Sequence, residues 1–301
     1  MEVLDTRQLR SFAMLAETGS FTAAAEKLFL TQSAVSHSIK SLESQLEAVL
    51  FERAGKRISL TPAGEQLLGH AHSILSRMEQ AAHDVAAISR QGYGRIRIGA
   101  AQTACQYILP AVMREFRECF PNCEVSISPG DTAELLEMLE NGQIDLAFSI
   151  RMRKGDHFEF RPLFDDELAY AYSPMHPWAK VKELNASHFR RVQFIVYAKQ
   201  SFTARLVETY FQKIGWPMPA YLELGAMEAI KEFAKIGMGV GIIAPWVAKK
   251  EIEGGSLVIR PLAPKEDAIE VRREWGMFAL RNRQLSMAEE TLIGLCESVC
   301  R

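Results

Sequence analysis

The chain has 301 residues, of which 48% are hydrophobic and 24% charged, and its formal net charge is −2. These values are ordinary for globular protein, and the length favours two or three domains. No run of about eighteen apolar residues occurs, so we expect no membrane span. The first residues lack the apolar core of a signal peptide, and the five cysteines form an odd set. Both features favour a reducing cytoplasm over a disulfide framework.

Two helices joined by a tight turn are predicted between Phe21 and Leu46, because apolar residues recur there at helical spacing. Ser20 and Thr31 are the expected N-caps. The polar residues off the apolar stripe of the second helix are Gln32, Ser33, Ser36, His37 and Lys40. Amide, hydroxyl and ammonium groups bind base edges and phosphates, which is the chemistry of a recognition helix in the major groove. The alternative is a helical hairpin with a solvated polar face.

A small hairpin with a basic tip is predicted directly after these helices. Leu50–Phe51 and Ile58–Leu60 are its expected strands, and its tip carries Arg53, Lys56 and Arg57. Such a wing would place positive charge on the phosphate backbone or in the minor groove. Because the net charge is only −2, DNA affinity must come from a local face made by Lys40, Arg53, Lys56 and Arg57 rather than from the whole chain.

A long helix is predicted from Pro62 to about Gln91, with Thr61 as its N-cap. Its apolar residues follow a heptad pattern: Leu67, Ala71, Ile74, Met78, Ala81, Val85 and Ile88. A seam this narrow favours a partner helix, so we interpret it as a dimerisation helix. The alternative is a long helix packed on its own chain. A dimer would present two recognition helices to two related half-sites.

Strands and helices alternate from Tyr93 onward. Strands are predicted at Arg95–Ala101, Cys123–Gly130 and Ile144–Ile150, with helices at about Thr103–Phe120 and Thr132–Gln143. This order predicts a parallel sheet with right-handed crossovers. The later expected strands are Leu168–Tyr172, Gln193–Val196, Val240–Ile243 and Glu274–Leu280, and the later helices Ala204–Ile214, Met227–Gly237 and Ser286–Cys300.

Ligands bind such sheets at the carboxyl ends of strands and near helix N-termini. The residues predicted there are Ala101, Gln102, Thr103, Gly130, Thr132, Ile150, Ser201, Phe202 and Thr203. Their hydroxyls and free N–H groups would suit a small carboxylate or similar anion, although each taken alone could be a helix cap. No P-loop, GxSxG or HExxH motif occurs. We therefore expect no catalytic residues, no metal and no cofactor.

Three segments resemble the LysR-type transcriptional regulators. They are LRSFAMLAETGSFTAAAEKLFLTQSAVSHSIKSLESQLEAVLFERAGKRISLTPAG, ENGQIDLAF and AKIGMGVGIIAP. The resemblance covers nearly the whole chain. It implies an α/β protein with a winged helix-turn-helix at 1–60, a linker helix at 61–91 and a two-lobed periplasmic-binding-protein-like effector domain at 92–301. Lobe I would comprise about 92–164 and 268–301, and lobe II about 165–267, with crossings near Leu163–Asp166 and Ala263–Glu270.

By position, Gln32, Ser33, Ser36, His37 and Lys40 match the family's DNA-facing helix, and Arg53 matches its wing arginine. The resemblance implies a tetramer or dimer of dimers and a small effector between the lobes. The expected partners are therefore double-stranded DNA with dyad-related half-sites, a small-molecule effector, further copies of the chain in a homodimer or homotetramer, and RNA polymerase. Two other functions stay open at this point. One is an intracellular small-molecule binding protein with an N-terminal assembly module, and the other is an enzyme built on the two-lobed part.

Overall fold

A computed structural model describes residues 4–54, 57–89, 94–152, 157–190, 192–198, 201–215, 221–262, 271–281 and 283–300. The chain divides into two compact units. The first contains the N-terminal part up to Arg95 together with Glu137–Asp145, and the second contains Ile96–Leu136 and the chain from Leu146 onward. Among the described residues, no helix combines the length and apolar character needed to cross a membrane.

The first unit begins with three helices, a hairpin and a long helix. In chain order these are α1 (Thr6–Thr18), α2 (Phe21–Leu28), α3 (Gln32–Leu46), β1 (Phe51–Ala54), β2 (Arg57–Leu60) and α4 (Pro62–Ser89). The predicted N-caps are confirmed, since Ser20 Oγ accepts from the Ala23 N–H and Thr31 Oγ1 from the Ala34 N–H. The turn between α2 and α3 has Phe29 in the left-handed region at φ 56°.

The predicted hairpin is confirmed and is anchored to the start of α4. β1 and β2 pair antiparallel, with Phe51 opposite Leu60. Thr61 Oγ1 donates to the Val49 carbonyl at 2.7 Å and accepts from the Gly64 N–H at 3.1 Å. A Cβ at Gly64 would lie 2.2 Å from the Leu50 carbonyl oxygen. Only glycine therefore lets α4 approach the hairpin this closely.

One hydrophobic core holds the first unit together. Phe12 and Leu15 of α1 pack there with α2 and α3, and Ala71 of α4 is fully buried in the same core. Leu67 and Leu75 pack against it as partly buried residues. The core thus extends past residue 60, the predicted end of the DNA-binding domain, because the first turns of α4 cover the bundle.

Twelve strands and twelve helices are assigned in the described residues. After α4 they are β3 (Arg95–Ala100), α5 (Gln102–Tyr107), α6 (Leu109–Cys119), β4 (Glu124–Pro129), α7 (Thr132–Glu140), β5 (Leu146–Ile150), β6 (Phe158–Glu167), β7 (Ala169–Tyr172), α8 (Ala186–Phe189), β8 (Phe194–Tyr197), α9 (Phe202–Ile214), β9 (Tyr221–Leu224), α10 (Met227–Lys235), β10 (Val240–Ile243), α11 (Lys249–Glu253), β11 (Val258–Pro261), β12 (Arg272–Leu280) and α12 (Met287–Val299). Short 3₁₀ helices occupy Pro177–Lys180 and Pro245–Ala248.

These strands form two five-stranded sheets, each the centre of one lobe. The first lobe has the order β4-β3-β5-β12-β6 and the second β11-β7-β10-β8-β9. β3 and β5 are parallel, as predicted, and so are β10, β8 and β9. The sheets are nevertheless mixed, because β12 runs antiparallel to β5 and β6, and β7 runs antiparallel to β10 and β11. Two separate cores lie against the sheets, one centred on Phe194 and Tyr170 and the other on Phe148 and Trp275.

Three sequence predictions are corrected here. The single helix expected at Thr103–Phe120 is two helices, because Pro110 lies in the first turn of α6 and has no N–H to continue the ladder of α5. Strands β6, β9 and β11 were not predicted. The first crossing does not lie at Leu163–Asp166, since β6 stays in the first sheet through Glu167 and β7 begins the second at Ala169. The predicted return crossing, 263–270, lies outside the described residues.

Candidate DNA-binding surface and effector cleft

Helix α3 has one buried face and one polar face. Val35 and Leu42 are fully buried, and Ile39 is nearly so. The five predicted contact residues lie on the other face, where Gln32, Ser33, His37 and Lys40 are exposed and Ser36 is half-buried. Burial of the apolar stripe fixes the rotation of the helix, so its amide, hydroxyl and ammonium groups face solvent together.

The wing is described through its backbone. Arg53 lies opposite Ile58 and Ala54 opposite Arg57 in the hairpin register. The side chains of Arg53 and Arg57, and the whole of Lys56, lie outside the described residues. The register therefore places two predicted basic residues at the wing's tip without fixing their contacts.

The heptad residues of α4 divide into two groups. Ala71 is buried in the core of its own unit and Leu67 packs against that core, so Ala71 is not available to a partner helix, and the prediction for this residue is wrong. Ile74, Met78 and Ala81 are exposed, at 39% and 47% for the first two. The side chains of Val85 and Ile88 lie outside the described residues. An exposed apolar seam thus begins at Ile74.

All nine predicted ligand residues line one cavity of about 400 Å³ in the second unit. It is formed where strands of both lobes end. β3, β4 and β5 lead into it from the first lobe, and β8 and β9 from the second. The lining residues that the sequence did not single out as ligand positions are Asp131, Ser149, Tyr197, Ala198, Gly225, Ala226, Arg273 and Trp275.

Several polar groups in the cavity already have partners. Thr132 and Ser149 share a hydrogen bond of 2.7 Å between their hydroxyls, and Thr103 and Tyr197 share one of 3.2 Å across the lobes. Ser201 Oγ accepts from the Ala204 N–H, so this residue is also a helix cap. Burial raises the pKa of the Tyr197 phenol, despite its hydrogen bond with Thr103. Tyr197 is therefore a neutral hydroxyl at physiological pH.

A buried ion pair joins the cavity wall to both lobes. Arg273 donates from Nε to Asp166 Oδ1 at 2.7 Å and from Nη2 to Asp166 Oδ2 at 2.5 Å. Trp246 and Trp275 donate their indole N–H groups to the same Oδ2 at 2.8 and 2.9 Å. Arg273 Nη1 also donates to Thr203 Oγ1 at 3.0 Å. No local pattern predicts this pair, because its members are 107 residues apart and meet only through the register of β6 and β12.

A second polar cluster links α5 to α10. Lys231 Nζ lies 3.0 Å from Glu228 Oε2 and 2.9 Å from Glu251 Oε1, and donates to the Tyr107 hydroxyl at 3.2 Å. The Tyr107 hydroxyl in turn donates to Glu228. We call these four residues the Lys231 cluster. Because Tyr107 belongs to the first lobe and the others to the second, the cluster is a further inter-lobe contact.

Among the described residues, no group of three or more His, Cys, Asp or Glu side chains could hold a metal ion. The polar side chains that line the cavity are mainly hydroxyls, together with the Gln102 amide, the Asp131 carboxylate and the Arg273 guanidinium. Such an arrangement can bind and orient a small polar molecule.

Comparison with known proteins identifies both parts of the chain. Residues 6–65 match the model of the bacterial regulatory helix-turn-helix protein, lysR family, and residues 89–301 match the LysR substrate binding domain. The chain belongs to the LysR family of transcriptional regulators. A probable RuBisCO transcriptional regulator of Nostoc sp. is 30% identical over 289 residues, which cover 94% of this chain and 85% of the relative.

Two solved structures of other proteins have the same fold. ArgP from Mycobacterium tuberculosis has a TM-score of 0.75 at 21% identity, covering 99% of this chain and 98% of ArgP. Full-length CbnR in complex with its target DNA has a TM-score of 0.66 at 23% identity, covering 98% of each chain. This LysR-type chain is accordingly a DNA-binding transcriptional regulator with an effector-binding domain, and it is not an enzyme.

Proposed function

We propose that this LysR-type regulator recognises dyad-related DNA half-sites through α3 and the wing, and that a small anionic effector binds in the cavity between the lobes. The observation that carries the proposal is the coexistence of an exposed polar face on α3 with a cavity at five strand ends that Arg273 and the start of α9 line. Effector binding alters DNA recognition only if the effector prefers one arrangement of the lobes.

The DNA part rests on chemistry and exposure. Gln32 can form two hydrogen bonds with adenine, and the Lys40 ammonium can bind guanine or a phosphate. Both residues are exposed on the face opposite Val35 and Leu42. The solved complex of CbnR with its target DNA supports the assignment by similarity of fold.

The anionic character of the effector rests on Arg273, which lines the cavity. The Asp131 carboxylate in the same lining is the N-cap of α7, because its Oδ1 accepts from the Ala133 and Glu134 N–H groups at 2.7 and 3.1 Å. The start of α9 also faces the cavity, and helix N-termini favour negative charge. A carboxylate or comparable anion matches a cavity that contains this cation and this helix start.

Assembly follows from the exposed seam of α4. Ile74 and Met78 are apolar and exposed, and Ala81 continues the seam one turn further. A pair of such helices would bury these side chains, so we propose a homodimer, or a homotetramer built from two dimers. RNA polymerase is a proposed further partner, and the cytoplasm, where the chromosome lies, is the proposed location.

A gel-shift assay with genomic fragments tests the DNA part. We expect site-specific binding that weakens as salt rises. Gln32→Ala should reduce the discrimination between bases at one position by about 1–3 kcal/mol. If Lys40 binds a phosphate, Lys40→Ala should weaken binding to all sequences and lower the slope of log affinity against log salt by about one. If Lys40 binds a guanine, Lys40→Ala should instead reduce the discrimination at that base. Lys213→Ala is the matched control, because it removes one exposed lysine from α9.

The control variant should bind DNA like the wild type. Binding that is insensitive to salt and sequence would contradict the proposal, as would equal effects of the Lys40 and Lys213 substitutions. Either result would favour a small-molecule binding protein whose N-terminal unit serves only in assembly.

A further inference from the structure

Arg273 is a buried cation in the wall of the cavity. Its residue is 2% exposed, yet it is among the residues that line the cavity. A buried charge normally uses its full set of hydrogen bonds within the protein, because an unpaired one is costly. The partners of Arg273 therefore decide whether it has a purely structural role.

The guanidinium has two N–H groups to spare. Of its five donors, one on Nε and one on Nη2 bind Asp166, and one on Nη1 binds Thr203. Within the described part of the chain, no acceptor is found for the other two. Asp166 accepts four hydrogen bonds: Oδ1 accepts one from Arg273, and Oδ2 accepts one each from Arg273, Trp246 and Trp275.

Arg273 lines the cavity and Asp166 does not, so the member of the ion pair that a ligand there would meet is the cation. We propose that Arg273 is the specificity-determining cation of the cavity, and that its two remaining N–H groups bind the anionic group of the effector. This inference rests on the proposed function, since it assigns a residue to the same cavity. The fork of the guanidinium favours a planar carboxylate or a phosphate over a neutral amide.

The position of Arg273 also connects the bound anion with the lobes. Arg273 lies on β12 of the first lobe, whereas Thr203 lies in the first turn of α9 in the second. The side chain that binds the anion is therefore the same one that bridges to α9. Specificity and inter-lobe contact are thus served by one side chain.

The test titrates the full-length protein with acetate, malonate and inorganic phosphate at constant ionic strength. Acetamide and malonamide serve as neutral controls, and thermal shift and tryptophan fluorescence report binding. We expect at least one anion, and neither amide, to bind the wild type. Arg273→Gln should weaken that anion by roughly tenfold or more. Asp166→Asn should strengthen it by about threefold or more, because it removes the charge that offsets Arg273.

The opposite effects expected for Arg273→Gln and Asp166→Asn distinguish anion binding from a purely structural role. If the ion pair were only structural, both variants would bind the anion more weakly. Circular dichroism and the gel shift confirm folding. If Arg273→Gln does not fold, Arg273→Lys and Asp166→Asn provide the test. Compared with the wild type, Arg273→Lys should bind the anion more weakly and Asp166→Asn more strongly. The proposal is overturned if no anion binds the wild type, if Arg273→Gln binds within about twofold of it, or if Asp166→Asn weakens binding. Failure of the regulator assignment is separate, since it would appear as loss of specific DNA binding by the wild type.

Discussion

Replacing Lys231 by Met tests whether the Lys231 cluster stabilises the effector-binding unit. The Lys231 side chain is 5% exposed, and its two carboxylate partners differ, with Glu251 at 18% and Glu228 at 41%. Removing one partner of a fully buried ion pair costs about 3–5 kcal/mol, whereas an exposed pair contributes about 0–1 kcal/mol. The intermediate exposure of Glu251 places the expected loss for Lys231→Met at about 1–3 kcal/mol, or about 2–12 °C in Tm.

The cluster also predicts how this loss depends on pH. Burial alone would lower the pKa of Lys231, but hydrogen bonds with Glu251 and Glu228 outweigh it and raise the pKa above the usual 10.5. Burial would likewise raise the pKa of Glu251, but Lys231 lowers it below 4.5. The stabilisation is therefore fully present between these two values. It is lost as pH rises through the pKa of Lys231 or falls through that of Glu251.

Urea unfolding followed by tryptophan fluorescence measures the effect, with a double-mutant cycle for each carboxylate. The cycle of Lys231→Met with Glu251→Gln should give a coupling of about 1–2 kcal/mol, and the cycle with Glu228→Gln below about 0.5 kcal/mol. A larger coupling to Glu228, or equal stability of Lys231→Met and the wild type, would refute the burial argument.

Three further predictions concern other parts of the chain. Gly64→Ala should destabilise the first unit by about 1–3 kcal/mol and impair DNA binding, because its Cβ would meet the Leu50 carbonyl oxygen. Gly294→Ala in α12, where a Cβ meets nothing within 4 Å, should instead stabilise the protein by about 0.5–1 kcal/mol. Equal urea midpoints of the two variants would contradict this prediction. Cys119, which is exposed, should react with a thiol reagent at mildly alkaline pH, whereas burial raises the pKa of Cys296 to about 12 and should protect it until the protein unfolds; mass spectrometry of the labelled peptides would show the reverse order if this is wrong. Burial lowers the pKa of His176 from 6.5, so its contribution to stability is present above pH 6.5 and lost as pH falls below that value. His176→Asn should flatten this dependence in urea unfolding, and an unchanged pH profile would count against it.

The elements that depend on local signals were predictable. Ser20, Thr31 and Thr61 cap helices where their sequence context predicts, and Val35 and Ile39 are buried as their spacing requires. The predicted ligand residues meet in one cavity, because strand ends and helix starts are local features that a parallel arrangement brings together.

The missed features depend on pairing between distant segments. β6 contains Pro162, which argues against a central strand, but β6 lies at the edge of its sheet and its register with β12 shifts opposite Gly276. The same pairing brings Asp166 to Arg273. Ala71 was assigned to a partner helix because a heptad pattern does not distinguish a partner from the chain's own core.

Selection of binding sites from random-sequence DNA by the full-length protein tests whether α3 reads paired half-sites. We expect enrichment of two related half-sites whose centres lie about 10 bp, or a multiple of this, apart. We also expect that Gln32→Ala relaxes one base position in both half-sites. Enrichment of no sequence, or of a single site that Gln32→Ala leaves unchanged, would contradict this expectation.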